Sequence, residues 1–141
     1  MPALIDALVS AETGNHPVEI SLVTAYVSLE MLKDSWARSK GIPFHDGWFW
    51  RPNPRGKGEV RYGFEAMLRD MFAEVGMKPR LKLLARYRSA LIHSGGLRLS
   101  HRTKDRAYAT VQQLAREYVL RLLGYRGPYV VFGSLRLGQL K

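Results

Sequence analysis

Ile42-Pro43-Phe44-His45-Asp46-Gly47-Trp48-Phe49-Trp50-Arg51-Pro52-Asn53-Pro54-Arg55-Gly56-Lys57-Gly58-Glu59-Val60-Arg61 interrupts an otherwise helical pattern, and its reading decides the fold class. Three prolines and three glycines surround the cluster Trp48-Phe49-Trp50. Proline removes a backbone donor and glycine favours turns, so no helix is expected here. A disordered linker rarely spends two tryptophans, so residues 42–61 read as an ordered loop insertion. The rest of the chain then reads as all-α.

Outward from this stretch the helical signals are clear. Residues 17–40 carry Leu22, Tyr26, Leu29 and Trp36 at helical spacing, widened by Ile20, Val23, Val27 and Met31. Pro17 suits a first helical position, and Gly41-Ile42-Pro43 is a stop. A short helix is predicted over 3–11. Residues 62–75 return to helix, with Phe64, Met67, Leu68, Met71 and Phe72 on one side and Gly76 as the stop. Pro79 opens a helix to Ser94, with Leu84, Tyr87 and Leu91 as its core edge and Gly95-Gly96 as its end. Leu97–Leu99 reads as a short extended piece. Residues 103–123 form the last long helix, with Ala107, Val111, Leu114, Tyr118 and Leu122 on its core stripe. The tail 126–141 is extended, with a short strand at 129–132. These elements predict an antiparallel, up-and-down four-helix bundle. It forms one domain over 1–141 with its core over 17–125.

The charge has a direction. The 141 residues hold 22 Lys and Arg against 12 Asp and Glu, a formal +10 that favours polyanions. Residues 1–37 hold Asp6, Glu12, Glu19, Glu30 and Asp34 against Lys33 alone. Residues 78–106 hold Lys78, Arg80, Lys82, Arg86, Arg88, Arg98, Arg102, Lys104 and Arg106 against Asp105 alone. Such clustering is a better nucleic-acid footprint than a high total. With no cysteine, disulfides, thiolate zinc sites and cysteine nucleophiles are excluded. No histidine pattern suggests a metal, and no cofactor motif is present. No secretory signal and no apolar run of about 18 residues is visible, so a cytoplasmic protein off the membrane is expected.

The segment Lys82-Leu83-Leu84-Ala85-Arg86-Tyr87-Arg88-Ser89-Ala90-Leu91-Ile92-His93-Ser94-Gly95-Gly96 concentrates the candidate chemistry. Residues four apart share a helix face, so Lys82, Arg86, Ser89 and His93 line one polar stripe. Arg88 lies about 140° around the axis from His93, toward the apolar edge. The stretch Tyr87-Arg88-Ser89-Ala90-Leu91-Ile92-His93-Ser94-Gly95 resembles the Arg-x4–6-His motif of the HEPN superfamily. Arg88 matches the motif arginine and His93 the histidine; Arg86 also satisfies the longer spacing. Leu22–Leu32, with Glu30 after Leu29, is similar to the first helix of these domains. Leu122-Leu123-Gly124-Tyr125 resembles the end of the last helix in one subgroup. The likeness spans about residues 17–125. It departs at Ser89, where Asn is common, and at Ser94, where Gly often follows the histidine directly.

The resemblance implies a metal-independent endoribonuclease, acting as a homodimer with facing motifs, often a toxin or defence effector. His93 and Arg88 would be catalytic, with Ser89 and Glu30 in support. Lys82, Arg86, Arg98 and Arg102 would steer RNA phosphates. An antitoxin or a larger effector is the further partner implied. Other readings stand beside this one. His93 could cap a helix C-terminus, and Arg88 could pair with Glu30 across the bundle. The aromatic cluster could close a core or an interface, or stack unpaired bases beside Arg51 and Arg55. The rival function is a non-catalytic dimerisation or RNA-binding module, or the terminal domain of a larger defence protein.

Overall fold

The computed structural model describes residues 18–94, 99–132 and 136–140. Among these, the order is α1 Val18–Ser39, β1 Phe44–His45, β2 Trp48–Pro52, β3 Glu59–Arg61, α2 Phe64–Glu74, α3 Lys82–Ser94, α4 His101–Leu122, β4 Gly127–Val130 and β5 Leu137–Leu140. Two antiparallel sheets, β1-β2-β3 and β4-β5, accompany the four helices. The protein is therefore mixed α and β, which overturns the expected all-α bundle. The helix order differs too. Lys104 in the first turn of α4 pairs with Glu19 in the first turn of α1. These helices begin side by side, whereas an up-and-down order would start them at opposite ends. The expected helix at 3–11, the Gly95-Gly96 stop and most of the extended piece at 97–99 lie outside the described residues.

The insertion folds because its turn chemistry is specific. Asp46 and Gly47 both have positive φ, 53° and 76°. Such a two-residue turn matches the twist of the strands it joins. It sets the register Phe44↔Phe49 and His45↔Trp48. A longer turn through Asn53 and Gly58, closed by Asn53 N–H to Gly58 O at 2.9 Å, sets Trp50↔Arg61. The prolines spare the ladder: Pro43 precedes β1 and Pro52 ends β2. The tail is a second hairpin, with Gly127↔Leu140 and Val130↔Leu137 in register. It packs on α4, where Phe132 N–H donates to Gln113 Oε1 at 2.8 Å and the Tyr108 and Phe132 rings meet edge to face.

The core lies between α1, α2 and α4. Leu22 and Leu29 of α1, Met67, Leu68, Met71 and Phe72 of α2, and Val111 and Ala115 of α4 are almost fully buried. Burying each large apolar side chain contributes roughly 1.5–3 kcal/mol. Ala25, Ala107 and Ala115 are buried in the closely packed pair α1 and α4. Two predicted stops hold: Gly41 and Gly76 take positive φ, and the next amide bonds back five residues, Ile42 to Ala37 and Met77 to Phe72. α3 begins at Lys82 rather than Pro79, and α4 at His101 behind the Ser100 cap. Leu122, expected in the core stripe of α4, is exposed, while Gln112 is fully buried.

Neither polar atom of the Gln112 side chain has a hydrogen-bond partner among the described residues. Gln112→Met, of similar length and apolar, should therefore stabilise the fold by about 1 kcal/mol, or roughly 3 °C in thermal midpoint. Burial pushes the Tyr26 phenol above the ordinary tyrosine range, and burial with the hydrogen bond to Asp70 does so for Tyr62. A raised folded-state value favours the protonated phenol. That stabilisation is complete below the unfolded value of about 10 and is lost as pH rises above it. Thermal midpoints should fall above pH of about 10, less steeply in Tyr26→Phe. Phenolate absorbance from Tyr26 and Tyr62 should appear only with unfolding.

Candidate functional site

Glu30 on α1 is the centre of the candidate site. Its Oε1 accepts from Arg88 Nε on α3, and its Oε2 lies 2.6 Å from Lys33 Nζ one turn further along α1. Lys33 also meets Asp34 at 2.9 Å. The Arg88 guanidinium stands 4.6 Å from the centroid of the Phe64 ring, and Lys33 Nζ lies 5.8 Å from both Phe64 and Phe49. The carboxylate thus holds two cations, and two aromatic faces cover them. In partly desolvated surroundings a cation over a ring gains about 0.5–2 kcal/mol. The Arg88–Glu30 pairing is among the readings the sequence left open. Lys33 and Phe64 are additions, although Glu30 and Lys33 at i and i+3 on one helix were a readable signal.

α3 meets α1 through side-chain tips rather than through close backbone packing. Tyr26 Oη donates to the Leu84 carbonyl at 2.9 Å, and Arg88 reaches Glu30. Between the helices lies an open groove of about 200 Å³, lined by Val23, Tyr26, Val27, Glu30, Arg88, Leu91 and Ile92. Ile20, Val23, Val27 and Ile92 each keep about half of their surface exposed. The widened apolar stripe predicted for α1 is therefore only partly buried.

The predicted polar stripe of α3 exists. Lys82, Arg86, Ser89 and His93 are all exposed. Arg88 points instead toward Glu30 and Phe64, so α3 carries a held guanidinium on its inner side and an imidazole on its outer side. Arg102 is exposed at the start of α4, while Arg98 lies outside the described residues. Among the described residues no group of three or more His, Asp or Glu side chains could hold a metal ion, and no helix is long and apolar enough to cross a membrane. Chemically, the site can bind an anion at α3 and exchange a proton through an exposed imidazole.

Compared with family models, curated proteins and solved structures, the chain matches none.

The network predicts its own weak point. Glu30→Gln leaves Lys33 and Arg88 without their shared carboxylate and should destabilise the fold by roughly 2–4 kcal/mol. Arg88→Met keeps an unbranched apolar stem while leaving Glu30 paired with Lys33, and should cost less than half as much. Urea titrations of the two variants check the order, and equal losses would contradict a shared carboxylate.

Proposed function

We propose that the protein is a metal-independent endoribonuclease acting as a homodimer, with Arg88 and His93 as its catalytic residues. The observation that carries this reading is the pairing, within two turns of α3, of an exposed imidazole with a guanidinium held by Glu30 beside an open groove. The HEPN resemblance of the same residues supplies the reaction, including its independence of metal. His93 takes the proton of a ribose 2′-OH as that oxygen attacks phosphorus. The bond to the 5′-oxygen breaks, and the partner's His93, in its imidazolium form, protonates the leaving oxygen. Arg88 offsets charge on the phosphorane, and its planar fork suits phosphate oxygens. The products are a 2′,3′-cyclic phosphate and a 5′-hydroxyl; DNA, lacking the 2′-OH, is not cut. Lys82, Arg86 and Arg102 steer the backbone.

The half-exposed Val23, Val27 and Ile92 support the dimer, since a second copy laid on this groove would cover them beside Arg88. Ser89, one turn before His93 on the same face, would support the reacting groups in this reading. The role that fits is a cytoplasmic toxin or defence effector restrained by an antitoxin or a larger effector. One observation favours a second reading, a non-catalytic RNA-binding module: the charge of Arg88 is already met by Glu30 and its face by Phe64.

The two readings separate in one experiment. Purified protein is incubated with single-stranded and structured RNA in EDTA, beside His93→Ala and Arg88→Ala. Cleavage leaving cyclic phosphate ends, reduced about 10²- to 10⁴-fold in His93→Ala, is expected. Cleavage that survives in His93→Ala, or that EDTA abolishes, would sink the mechanism. Binding without cleavage selects the module. A strict monomer at micromolar concentration would remove the composite site.

A further inference from the structure

The outer face of the β1-β2-β3 sheet has no role in the chemistry above, and its composition is unusual. Directly opposed residues of an antiparallel pair share a face, as do alternate residues along a strand. The registers His45↔Trp48, Trp50↔Arg61 and Pro52↔Glu59 therefore put His45, Trp48, Trp50, Pro52, Glu59 and Arg61 on one side. Apart from Pro52, none of these is aliphatic. Phe49, between the two tryptophans, goes to the other side and is buried.

The planar groups of this face are already ordered. The His45 and Trp50 rings stack with centroids 4.8 Å apart and planes 4° from parallel. The Trp50 indole N–H donates to the His45 carbonyl at 3.1 Å, which holds the pair. Arg61 lies 4.7 Å from the Trp48 ring centroid, and Trp48 still leaves 48% of its surface exposed. Arg55 and Lys57 are exposed in the turn between β2 and β3, at the end of the same sheet.

We infer that this face is a binding platform for single-stranded nucleic acid, on which unpaired bases stack against Trp48 and Trp50 while Arg61, Arg55 and Lys57 meet the phosphates. Three properties select this occupant. The exposed groups are flat, as bases are. The turn beside them is positive: Arg55 and Lys57 stand there with no acidic residue between Arg51 and Gly58, while on the face itself Glu59 accompanies Arg61, and His45 lies 3.2 Å from Asp46 and 3.7 Å from Glu59. The rings are held before any ligand arrives, so little side-chain freedom is lost on stacking. Because the contact is to base faces and phosphates, it does not read the 2′-OH, and RNA and DNA strands bind alike. The platform is independent of cleavage at His93.

The test uses the full chain with oligonucleotides of about 12 nucleotides that cannot be cleaved by 2′-OH attack: oligo-dT, 2′-O-methyl oligo-U and a DNA duplex of equal length. Binding is followed by anisotropy of a labelled strand. Trp48→Ala and Trp50→Ala should each weaken both single strands about tenfold and leave duplex binding unchanged, and Trp48→Phe should restore most of the loss. Circular dichroism identifies any variant that fails to fold. Arg61→Glu, at an exposed position, then gives an independent reading and should weaken single strands in the same way. Unchanged single-strand binding in these variants overturns the platform, as does an equal loss for duplex in the tryptophan variants. Unchanged binding with a shift from dimer to monomer reassigns the face to a subunit contact. His93→Ala should bind like the parent, so lost cleavage with intact binding, or the reverse, tells failure of one reading from failure of the other.

Discussion

Glu30 is one carboxylate shared by two cations, and the placement of α3 follows from it. Taking an arginine and a lysine partly out of water is costly, and the cost is offset only when their charge is met at short range. Glu30 meets both, with Lys33 on its own helix and Arg88 on α3. Phe64 covers Arg88 from the start of α2, and Phe49 covers Lys33 from the first half of β2. Four elements thus converge on one charge. Apolar burial among α1, α2 and α4 supplies most of the stability. The ion network contributes mainly position, since isolated buried pairs often gain little net energy over apolar replacements.

Leu84 anchors α3 in the core, but α3 meets α1 through the tips of Tyr26 and Arg88, so the apolar surface between the two helices stays open. Interdigitated leucines would have closed this gap. Instead, Val23, Val27 and Ile92 face a groove whose end is the Arg88–Glu30 pair. The polar contact that sets the angle of α3 therefore also leaves an apolar surface free beside the candidate chemistry. His93 on the outer side of α3 depends on the same support, since any rotation of α3 that carried Arg88 from Glu30 would also move the imidazole.

The helices were legible because their periodicity and their stops agree. Leu22, Tyr26, Leu29 and Trp36 are buried as their spacing predicts, and Gly41 and Gly76 end helices in the expected conformation. The tail strand expected at 129–132 overlaps β4, but the three-stranded sheet and the pairing of the tail were hidden for a physical reason. Each strand is two to five residues long, too short for alternation to stand out. Yet Asp46-Gly47 between aromatic residues is a strong local hairpin signal, and reading the prolines as breakers hid it. The Arg88–Glu30 pair was foreseeable from charge placement, whereas Phe64 against Arg88 was not. Its position depends on how β3 leads into α2, a tertiary matter with no short-range signature. Gln112 shows the limit of stripe counting: it occupies a core position that composition assigns to a surface.

The register of β2 joins the buried network to the outer sheet face. Side chains alternate along a strand, so burying Phe49 against Lys33 and Arg38 turns Trp48 and Trp50 outward. A slip of one residue would bury both indoles and expose Phe49, separating Lys33 from its ring. The Asp46-Gly47 turn and the Phe44–Phe49 contact, 4.8 Å between centroids, oppose that slip from β1, and the Trp50↔Arg61 register opposes it from β3. The orientation of the tryptophans is therefore not a free surface feature. It follows from the core contact of the residue between them, through the same lysine that shares Glu30 with Arg88. A change at Phe49 should consequently disturb both the ion network and the outer aromatic pairs, whereas a change at Trp48 should leave the network intact.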